Sequence, residues 1–558
     1  MTEPHTTPAA LSLLWPGGLP QRPPAPRFDP DDLDLDTLTQ AISPDARYTR
    51  FVRGLLADLS DDPAVIRCRQ ETLEDLLRVP ALADRLAEVL DLLTAMGRYM
   101  TTPQWQENPL RQVAWRLSEL ENYVDVVNRL NAMFDDAGDA VQSAALQRLR
   151  AFTRAAAADP AFAALSAELP DMLAQVRQVA SVTIGVNLDD RLRPAEAVLL
   201  AFNTTHFRSS TAFRRLFGRQ PEPAENEGLG QLHRALGASR LPESDNPLLN
   251  PLFKDLSDIL EQTCRPVAQA LRRYVGVSAR ALVLLENEIA FYLGAARLVQ
   301  RVQAAGLPMC RPEIAPADER ICALEDAYNI ALALRFLARR GGDLSGEMVT
   351  NDVRFGPQGR IFILTGPNRG GKTTYTQAVG LAHVLFQAGL YVPAAAARIS
   401  PVDGIYTHFA AAERPDLEAG RLGEESRRLG AIFARATRHS LILLNESLSS
   451  TSAGESLYLA RDIVRAMRLL GARAVYATHL HELAADADAI NAETPGDSLV
   501  ISLVSVVTET NSGEEARRTY RIVPGPPMGR SYAREIAARY GISYEQLAEA
   551  LRARRAIP

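Results

Sequence analysis

The residues with the clearest capacity for chemistry lie between Gly366 and Thr374, a stretch that reads Gly-Pro-Asn-Arg-Gly-Gly-Lys-Thr-Thr. It fits the pattern G-x-x-x-x-G-K-[ST], in which glycines let consecutive backbone N–H groups turn towards phosphate oxygens. We expect Lys372 to reach the β and γ phosphates of a nucleoside triphosphate and the Thr373 hydroxyl to bind Mg²⁺. The predicted phosphate-binding residues are Gly366, Pro367, Asn368, Arg369, Gly370, Gly371, Lys372, Thr373 and Thr374.

The elements that would position this loop flank it on both sides. Residues 360–365 form an apolar run typical of a buried parallel strand, and residues 375–388 have helical periodicity. Such a helix would direct the positive end of its dipole at the bound anion. The chain contains only two lysines, Lys254 and Lys372, against fifty-nine arginines. A lysine retained in this loop indicates a requirement for a compact ammonium group, which a planar guanidinium does not satisfy.

Two further apolar runs end in polar residues that would complete a nucleotide site. Residues 440–446 end in Asn445 and Glu446, where a P-loop ATPase normally has Asp-Glu. We expect Asn445 to offer Mg²⁺ an amide oxygen without negative charge, and Glu446 to orient or deprotonate the attacking water. Residues 473–478 lead into His479, which is placed to sense the γ-phosphate. The predicted catalytic residues are therefore Glu446 and His479, and the predicted metal ligands are Thr373 and Asn445.

Length and composition predict a protein of several domains with real cores. The chain has 558 residues, of which 47% are apolar, and its formal net charge is −6. Any contact with nucleic acid must therefore come from a local basic patch. No apolar run reaches membrane-spanning length and the N-terminus lacks the pattern of a signal segment, so we expect a cytoplasmic protein without membrane contact. The four cysteines lack the spacing of a zinc site or a disulfide framework.

The patterns divide the chain into three predicted regions. Residues 1–42 are rich in proline and then acidic, and we interpret them as a flexible arm. Residues 43–340 are mostly helical, with an insertion at about 179–240 in which two short β runs around a polar turn predict a hairpin. Residues 341–558 contain the phosphate loop and its neighbouring strands. The predicted fold class is thus a C-terminal α/β domain with a mostly parallel sheet, joined to an all-α region with a small β insertion.

Within the insertion, residues 207–219 interleave arginines with phenylalanines. One interpretation is that the arginines grip a nucleic-acid backbone while the rings stack on bases. The simpler alternative is an amphipathic helix whose phenylalanines, one turn apart, face the core while the arginines are solvated. The arginines concerned are Arg208, Arg214, Arg215 and Arg219.

The order of these motifs resembles that of the ABC-type ATPases, and the details resemble the MutS family of DNA mismatch-repair ATPases. The similarity extends over about residues 345–550, with a weaker match to the helical core of the family at residues 62–70. It is carried by Asn-Asp-Val at 351–353, the phosphate loop, Ala-Thr-His-Leu-His-Glu-Leu at 477–483 and Tyr-Arg-Ile-Val-Pro-Gly at 520–525. Glu446 and His479 fall on the catalytic Glu and the switch His of the family.

The resemblance implies an ABC-type P-loop ATPase domain, helical levers that clamp DNA, and a homodimer with composite ATP sites. ATP and Mg²⁺ are the implied cofactors. In the family a Ser-Thr-Phe segment crosses the dimer interface, and the corresponding residues 420–425 of this chain lack its hydroxyls. This departure, together with Asn445 in place of Asp, predicts slow hydrolysis. We also expect an aromatic residue to stack on adenine, and Phe355 is our candidate.

Two functions remain open at this point. The chain has no Phe-x-Glu motif and few residues before its helical core, so we do not expect the mismatch-reading domain of the family. The first hypothesis is therefore a nucleotide-driven clamp on mismatched, distorted or branched duplex DNA, in mismatch repair or in recombination control. The alternative is a weakly hydrolysing scaffold that binds a protein partner. Asn445, the altered segment 420–425 and the acidic net charge favour the alternative.

Overall fold

We analysed a computed structural model of the chain, which describes residues 11–17, 28, 31–100, 109–177, 181–192, 194–206, 208–209, 227–228, 259, 265–274, 279–409, 420–448, 452–508, 517–527 and 541–554. The chain folds into two compact units. One comprises residues 1–83, 139–147 and 287–558, and the other comprises residues 84–138 and 148–286. Within the described ranges, no helix combines the length and the apolar character needed to cross a membrane.

The first third of the chain is helical, as its apolar periodicity predicts. The helices are α1 (Leu35–Ile42), α2 (Ala46–Asp58), α3 (Pro63–Arg78), α4 (Pro80–Met100), α5 (Pro109–Ala137), α6 (Ala144–Ala158) and α7 (Pro160–Arg177). Proline opens several of them, because the first helical turn has no use for the missing N–H group. Leu117 and Leu120 of α5 pack with Leu165 and Leu169 of α7 in the core of the second unit.

The second unit also contains the inserted strands. Strand β1 (Ser181–Leu188) pairs antiparallel with β2 (Pro194–Asn203), which confirms the predicted hairpin. Short strands β3 (Arg208–Ser209) and β4 (Glu227–Gly228) pair in parallel, and a short helix α8 (Arg280–Val283) follows. Apart from β3, the arginine-rich residues 207–219 lie outside the described residues, so both interpretations of that stretch remain predictions.

The rest of the chain alternates helices and strands. The strands are β5 (Glu313–Ile314), β6 (Cys322–Ala327), β7 (Asn351–Phe355), β8 (Ile361–Thr365), β9 (Ala396–Ile399), β10 (Ile405–Phe409), β11 (Leu441–Asn445), β12 (Arg473–Ala477), β13 (Val500–Thr508) and β14 (Arg517–Pro524). The helices are α9 (Glu286–Ala304), α10 (Ile330–Arg340), α11 (Lys372–Gln387), α12 (Gly420–Phe433), α13 (Ala453–Leu470), α14 (His481–Ala485), α15 (Ala487–Glu493) and α16 (Tyr544–Ala553).

These strands form two sheets in the first unit. The larger has the order β10-β11-β12-β8-β13-β14, and every pairing in it is parallel except that of β13 with β14. Every residue of β8, β11 and β12 is buried, as expected for parallel strands covered on both faces. This arrangement confirms the predicted, mostly parallel sheet. The carboxyl ends of β8, β11 and β12 therefore meet at one edge.

The smaller sheet crosses the domain boundary that the sequence predicted between residues 340 and 341. Its order is β5-β9-β6-β7, so strands from both sides of that division pair with each other. Strands β5 and β6 had no clear signal because both are short and β6 contains two acidic residues, Glu325 and Asp326. The region before the phosphate loop is thus part of the same sheet structure as the region after it.

The arm predicted to be flexible is packed where the structure describes it. Leu13 and Leu14 are fully buried, and their amides donate hydrogen bonds to the Glu288 carboxylate at 2.5 and 3.3 Å. Ser12 Oγ donates to the same group at 2.9 Å, while Arg69 Nε donates to the Leu14 carbonyl at 3.2 Å. Helix α1 also lies within the predicted arm and buries its leucines. The composition of this segment suggested disorder. It does not reveal that the Glu288 carboxylate and the Arg69 guanidinium, both distant in the chain, bind the segment.

The buried Glu288 carboxyl should make the stability of this unit depend on pH. Burial raises the pKa of Glu288 from 4.5 to about 7, against the opposing effect of its hydrogen bonds. The folded protein therefore retains a proton that the unfolded chain releases above about pH 4.5. The contribution of this group to the free energy of unfolding should fall as the pH rises towards 7, by up to about 1.4 kcal/mol per pH unit, and then level off.

Urea unfolding between about pH 5 and 8 measures this effect in the protein and in Glu288→Gln. The free energy of unfolding of the protein minus that of the variant should decrease with rising pH up to about 7. Glu347→Gln, which removes an exposed carboxylate paired with Arg340, is the matched control. Parallel pH profiles for the protein and Glu288→Gln would contradict the prediction.

Candidate nucleotide-binding site

The loop between β8 and α11 runs tightly against strand β13. Gly366 has φ +148° and Gly371 has φ +92°, conformations that side chains other than glycine rarely adopt. A Cβ atom on Gly366 would lie 2.7 Å from the Cβ of Ser505, and one on Gly370 would lie 2.8 Å from the Ser505 hydroxyl. Ser505 Oγ also donates a hydrogen bond to the Gly370 carbonyl at 2.6 Å. The glycines are therefore required for the close approach that fixes the loop on β13.

Lys372 is buried at the first position of α11, with 4% of its surface exposed. Its ammonium donates to the carbonyls of Gly366 and Pro367 at 3.1 and 3.2 Å, so it curls back into the loop. Burial lowers the pKa of Lys372, and the nearby Glu446 carboxylate opposes that shift. A desolvated ammonium that donates its hydrogen bonds to neutral carbonyls favours the approach of an anion.

The same ammonium lies beside a pair formed by His479 and Glu446. Lys372 Nζ is 3.3 Å from His479 Nε2, and that nitrogen is 3.0 Å from Glu446 Oε1. One ring nitrogen cannot both accept from the ammonium and donate to the carboxylate. Because Lys372 already has two carbonyl acceptors, we assign the hydrogen to Nε2, which donates it to Glu446. The hydrogen bond from His479 lowers the pKa of Glu446, which keeps this carboxylate ionised at neutral pH.

The predicted metal ligands are also in contact. Thr373 Oγ1 donates a hydrogen bond to Asn445 Oδ1 at 3.0 Å, which joins the start of α11 to the end of β11. A hydroxyl and an amide oxygen suit Mg²⁺, which prefers oxygen ligands and retains several waters. The two side chains therefore fit a magnesium ion bound together with a nucleotide, although neither brings a negative charge.

The remaining loop residues surround this cluster. Asn368 and Arg369 are exposed at the tip of the loop, and Arg369 adopts φ +60°. The Thr374 carbonyl accepts a hydrogen bond from Asn329 Nδ2 at 3.1 Å, which ties α11 to the start of α10. His481 is half-buried in the first turn of α14.

Phe355 does not suit adenine stacking, and our choice of it was wrong. Its side chain is 2% exposed, and its ring stacks on Phe362 with the centroids 4.2 Å apart. The ring of Tyr520 is exposed and lies next to the phosphate loop. Its Cδ1 atom would be 3.5 Å from a Cβ atom placed on Gly371. Asn351 Nδ2 donates a hydrogen bond to the Tyr520 carbonyl at 3.1 Å. Tyr520 belongs to a motif noted in the sequence, but the motif does not reveal which of its side chains faces the loop.

A buried strand, a glycine loop, a lysine at the head of a helix and polar residues at the ends of neighbouring strands together define a P-loop nucleotide-binding fold. A family model described as MutS domain V matches residues 362–557, and a model described as MutS2 N-terminal domain matches residues 61–305. Each model covers less than half of the chain, and together they relate the chain to the MutS family, which confirms the resemblance seen in the sequence.

Curated relatives match about a third of this chain at moderate identity. The DNA mismatch repair protein MutS 2 of Halobacterium salinarum is 38% identical over 201 residues, which are 34% of this chain and 23% of the relative. Endonuclease MutS2 of Thermomicrobium roseum is 34% identical over 200 residues, or 36% and 24% of the two chains. DNA mismatch repair protein MutS of Lactobacillus johnsonii is 32% identical over 210 residues, or 37% and 23%. The matches thus span about a quarter of the length of these relatives.

Replacing Asn445 with Asp should strengthen Mg²⁺ binding if this pair holds the ion. The change adds a negative charge beside Thr373, and carboxylates bind Mg²⁺ more strongly than amides. We expect the Mg²⁺ concentration that supports half-maximal ATP binding to fall roughly tenfold. Fluorescence titration with a labelled ATP analogue at fixed protein concentration measures it. Asn445→Ala should raise the requirement, and an unchanged requirement in Asn445→Asp would argue against a metal at this position.

Proposed function

We propose that the chain binds ATP with Mg²⁺ and hydrolyses it. The observation that carries the proposal is the contact of Lys372, His479 and Glu446, which come from three separate segments at one edge of the sheet. An ammonium for phosphate binding and an ionised carboxylate for water activation are the groups that phosphoryl transfer to water requires. Magnesium, when bound, neutralises charge on the phosphate oxygens.

Each residue has a role in this proposal. The Lys372 ammonium exchanges its loop carbonyls for phosphate oxygens, and the amides at the start of α11 contribute further hydrogen bonds. Thr373 and Asn445 hold the magnesium. Glu446 orients the attacking water and accepts its proton, while His479 fixes Glu446 through Nε2 and senses the terminal phosphate. The exposed Tyr520 ring stacks on the base.

We further propose that the protein acts on DNA as a nucleotide-driven dimeric clamp. The curated relatives are named for DNA mismatch repair or as an endonuclease. In this proposal, residues 43–340 supply the levers and the hairpin as a clamp insertion. They also supply strands β5 and β6, which join residues 341–558 in the ATPase domain. Residues 420–425 of each subunit contribute to the ATP site of the partner. The DNA is a mismatched, distorted or branched duplex.

A second candidate is a nucleotide-controlled scaffold that hydrolyses slowly and binds a protein. Asn445 supports it, because an amide holds Mg²⁺ less strongly than the usual carboxylate. The net charge of −6 also supports it, since DNA binding then depends on a local basic patch.

Two substitutions test the nucleotide site. Lys372→Ala should weaken ATP binding about a hundredfold, since hydrogen bonds to charged groups contribute roughly 1.5–3 kcal/mol. Glu446→Gln should preserve binding and lower turnover by about 10² to 10⁴, the usual contribution of a general base. Equilibrium binding of an ATP analogue and phosphate release measure the two quantities. Glu482→Gln, an exposed carboxylate on α14, is the control. Wild-type turnover in Glu446→Gln would refute the role of that residue.

A salt titration separates the clamp from the scaffold. A clamp that contacts 6–10 phosphates should lose about 10³ to 10⁵ in DNA affinity between about 50 and 200 mM salt. The measurement is fluorescence anisotropy with labelled duplex and four-way-junction DNA, with and without ATP. Lys372→Ala is the matched control, because it should remove any effect of ATP on this binding. Lack of affinity for either DNA at low salt would exclude the clamp and favour the scaffold.

A further inference from the structure

The turn that carries Glu446 has a strained backbone. Glu446 has φ +53° and Leu448 has φ +66°, so two residues other than glycine adopt the left-handed conformation within three positions. Each such residue costs about 1–3 kcal/mol and persists only where the surrounding structure enforces it. The contacts that enforce this turn therefore also decide where the Glu446 carboxylate points.

One side of the turn is held by His408, near the end of β10. Ser447 Oγ lies 2.7 Å from His408 Nδ1 and 3.1 Å from the His408 carbonyl oxygen. The hydroxyl has a single hydrogen, which it donates to the carbonyl, so the ring donates from Nδ1. This assignment suits a neutral ring, because burial lowers the pKa of His408 to about 4. The Tyr476 hydroxyl also donates to the Ser447 carbonyl, at 3.2 Å.

The other side of the turn is held by Glu425, on α12. This carboxylate is 8% exposed, and its Oε2 accepts a hydrogen bond from the Leu448 amide at 2.8 Å. A carboxylate is costly to bury unless strong donors compensate for the lost water, and hydrogen bonds to charged acceptors are the stronger kind. The Leu448 side chain packs in the same core cluster as Leu429 and Ile432 of α12. Glu425 therefore fixes the Leu448 amide, two residues beyond Glu446. Helix α12, which carries Glu425, is itself packed against the Leu448 side chain.

We propose that Glu425 is a positioning residue for Glu446. By holding the Leu448 amide it keeps the turn in its left-handed conformation, which leaves the Glu446 carboxylate 3.0 Å from His479 Nε2. The inference rests on the proposed function, in which Glu446 activates the attacking water. The phosphate loop has a separate support in Ser505. Loss of Glu425 should therefore disturb the chemical step and leave nucleotide binding intact.

The test compares three variants of the full-length protein. Glu425→Ala should lower kcat about ten- to a hundredfold, the usual effect of misplacing a catalytic group by about 1 Å, and leave KM and ATP affinity within about twofold. Glu425→Gln keeps a side-chain oxygen that accepts the Leu448 amide, so it should recover most of kcat. Arg427→Ala is the matched control, because Arg427 lies on the same helix, outside residues 420–425, and its exposed side chain pairs with Glu424. It should leave kcat unchanged.

Each outcome decides the inference. Equal losses of kcat and ATP affinity in Glu425→Ala, without recovery in Glu425→Gln, would show a merely structural role and overturn it. If Glu425→Ala does not fold, Ser447→Ala removes the hydrogen bonds to His408 and should give the same selective loss of kcat. A normal kcat in Ser447→Ala would then overturn the inference. Wild-type turnover in Glu446→Gln refutes the proposed function, whereas an inactive Glu446→Gln with a normal Glu425→Ala refutes only this inference.

Discussion

The site depends on the burial of one ammonium group inside a loop that β13 holds closed. Ser505 approaches Gly366 and Gly370 more closely than a Cβ atom on either glycine would permit, so strand β13 holds the curve of the loop. Lys372 is thereby confined to a space where main-chain carbonyls replace water. Neutral carbonyls compensate only part of its lost hydration, so the site retains an attraction for negative charge. The neighbouring Glu446 does not neutralise it fully, since that carboxylate is engaged by His479.

The parallel sheet supplies the rest of the geometry. Asn445 is in register with Ala477, and Ala477 is in register with Leu364, so β11, β12 and β8 end side by side. Glu446 and His479 follow the ends of β11 and β12 by one and two residues, so they lie close together although they are far apart in the chain. His479 lies 107 residues from Lys372 in sequence and within 3.3 Å of it in space. This is why the order of motifs at strand ends was sufficient to predict that their side chains lie at one edge of the sheet.

The features that the sequence did not reveal depend on single contacts between distant segments. Ser505, His408 and Glu425 are ordinary residue types in unremarkable contexts, and only the folded sheet brings them to the loop and to the Glu446 turn. The N-terminal segment is packed because Glu288, some 275 residues away, accepts its amides. The choice of Phe355 failed for a related reason. A pattern in one strand does not show which residue of another strand covers its aromatic ring, and here Phe362 does so.

Asn445 changes the electrostatics of the site in two opposite directions. An aspartate there would place a second carboxylate next to Glu446, and neighbouring carboxylates raise each other's pKa. An amide at this position adds no such repulsion, so the hydrogen bond from His479 outweighs the effect of burial on the pKa of Glu446, and its carboxylate stays ionised. The same amide gives Mg²⁺ less charge to bind than an aspartate would. In the proposed function, turnover is therefore limited by how firmly the metal and its phosphates are held, while the water-activating carboxylate remains ready. Under that proposal, a contact that improves phosphate binding, including the one proposed from residues 420–425 of a partner subunit, raises turnover.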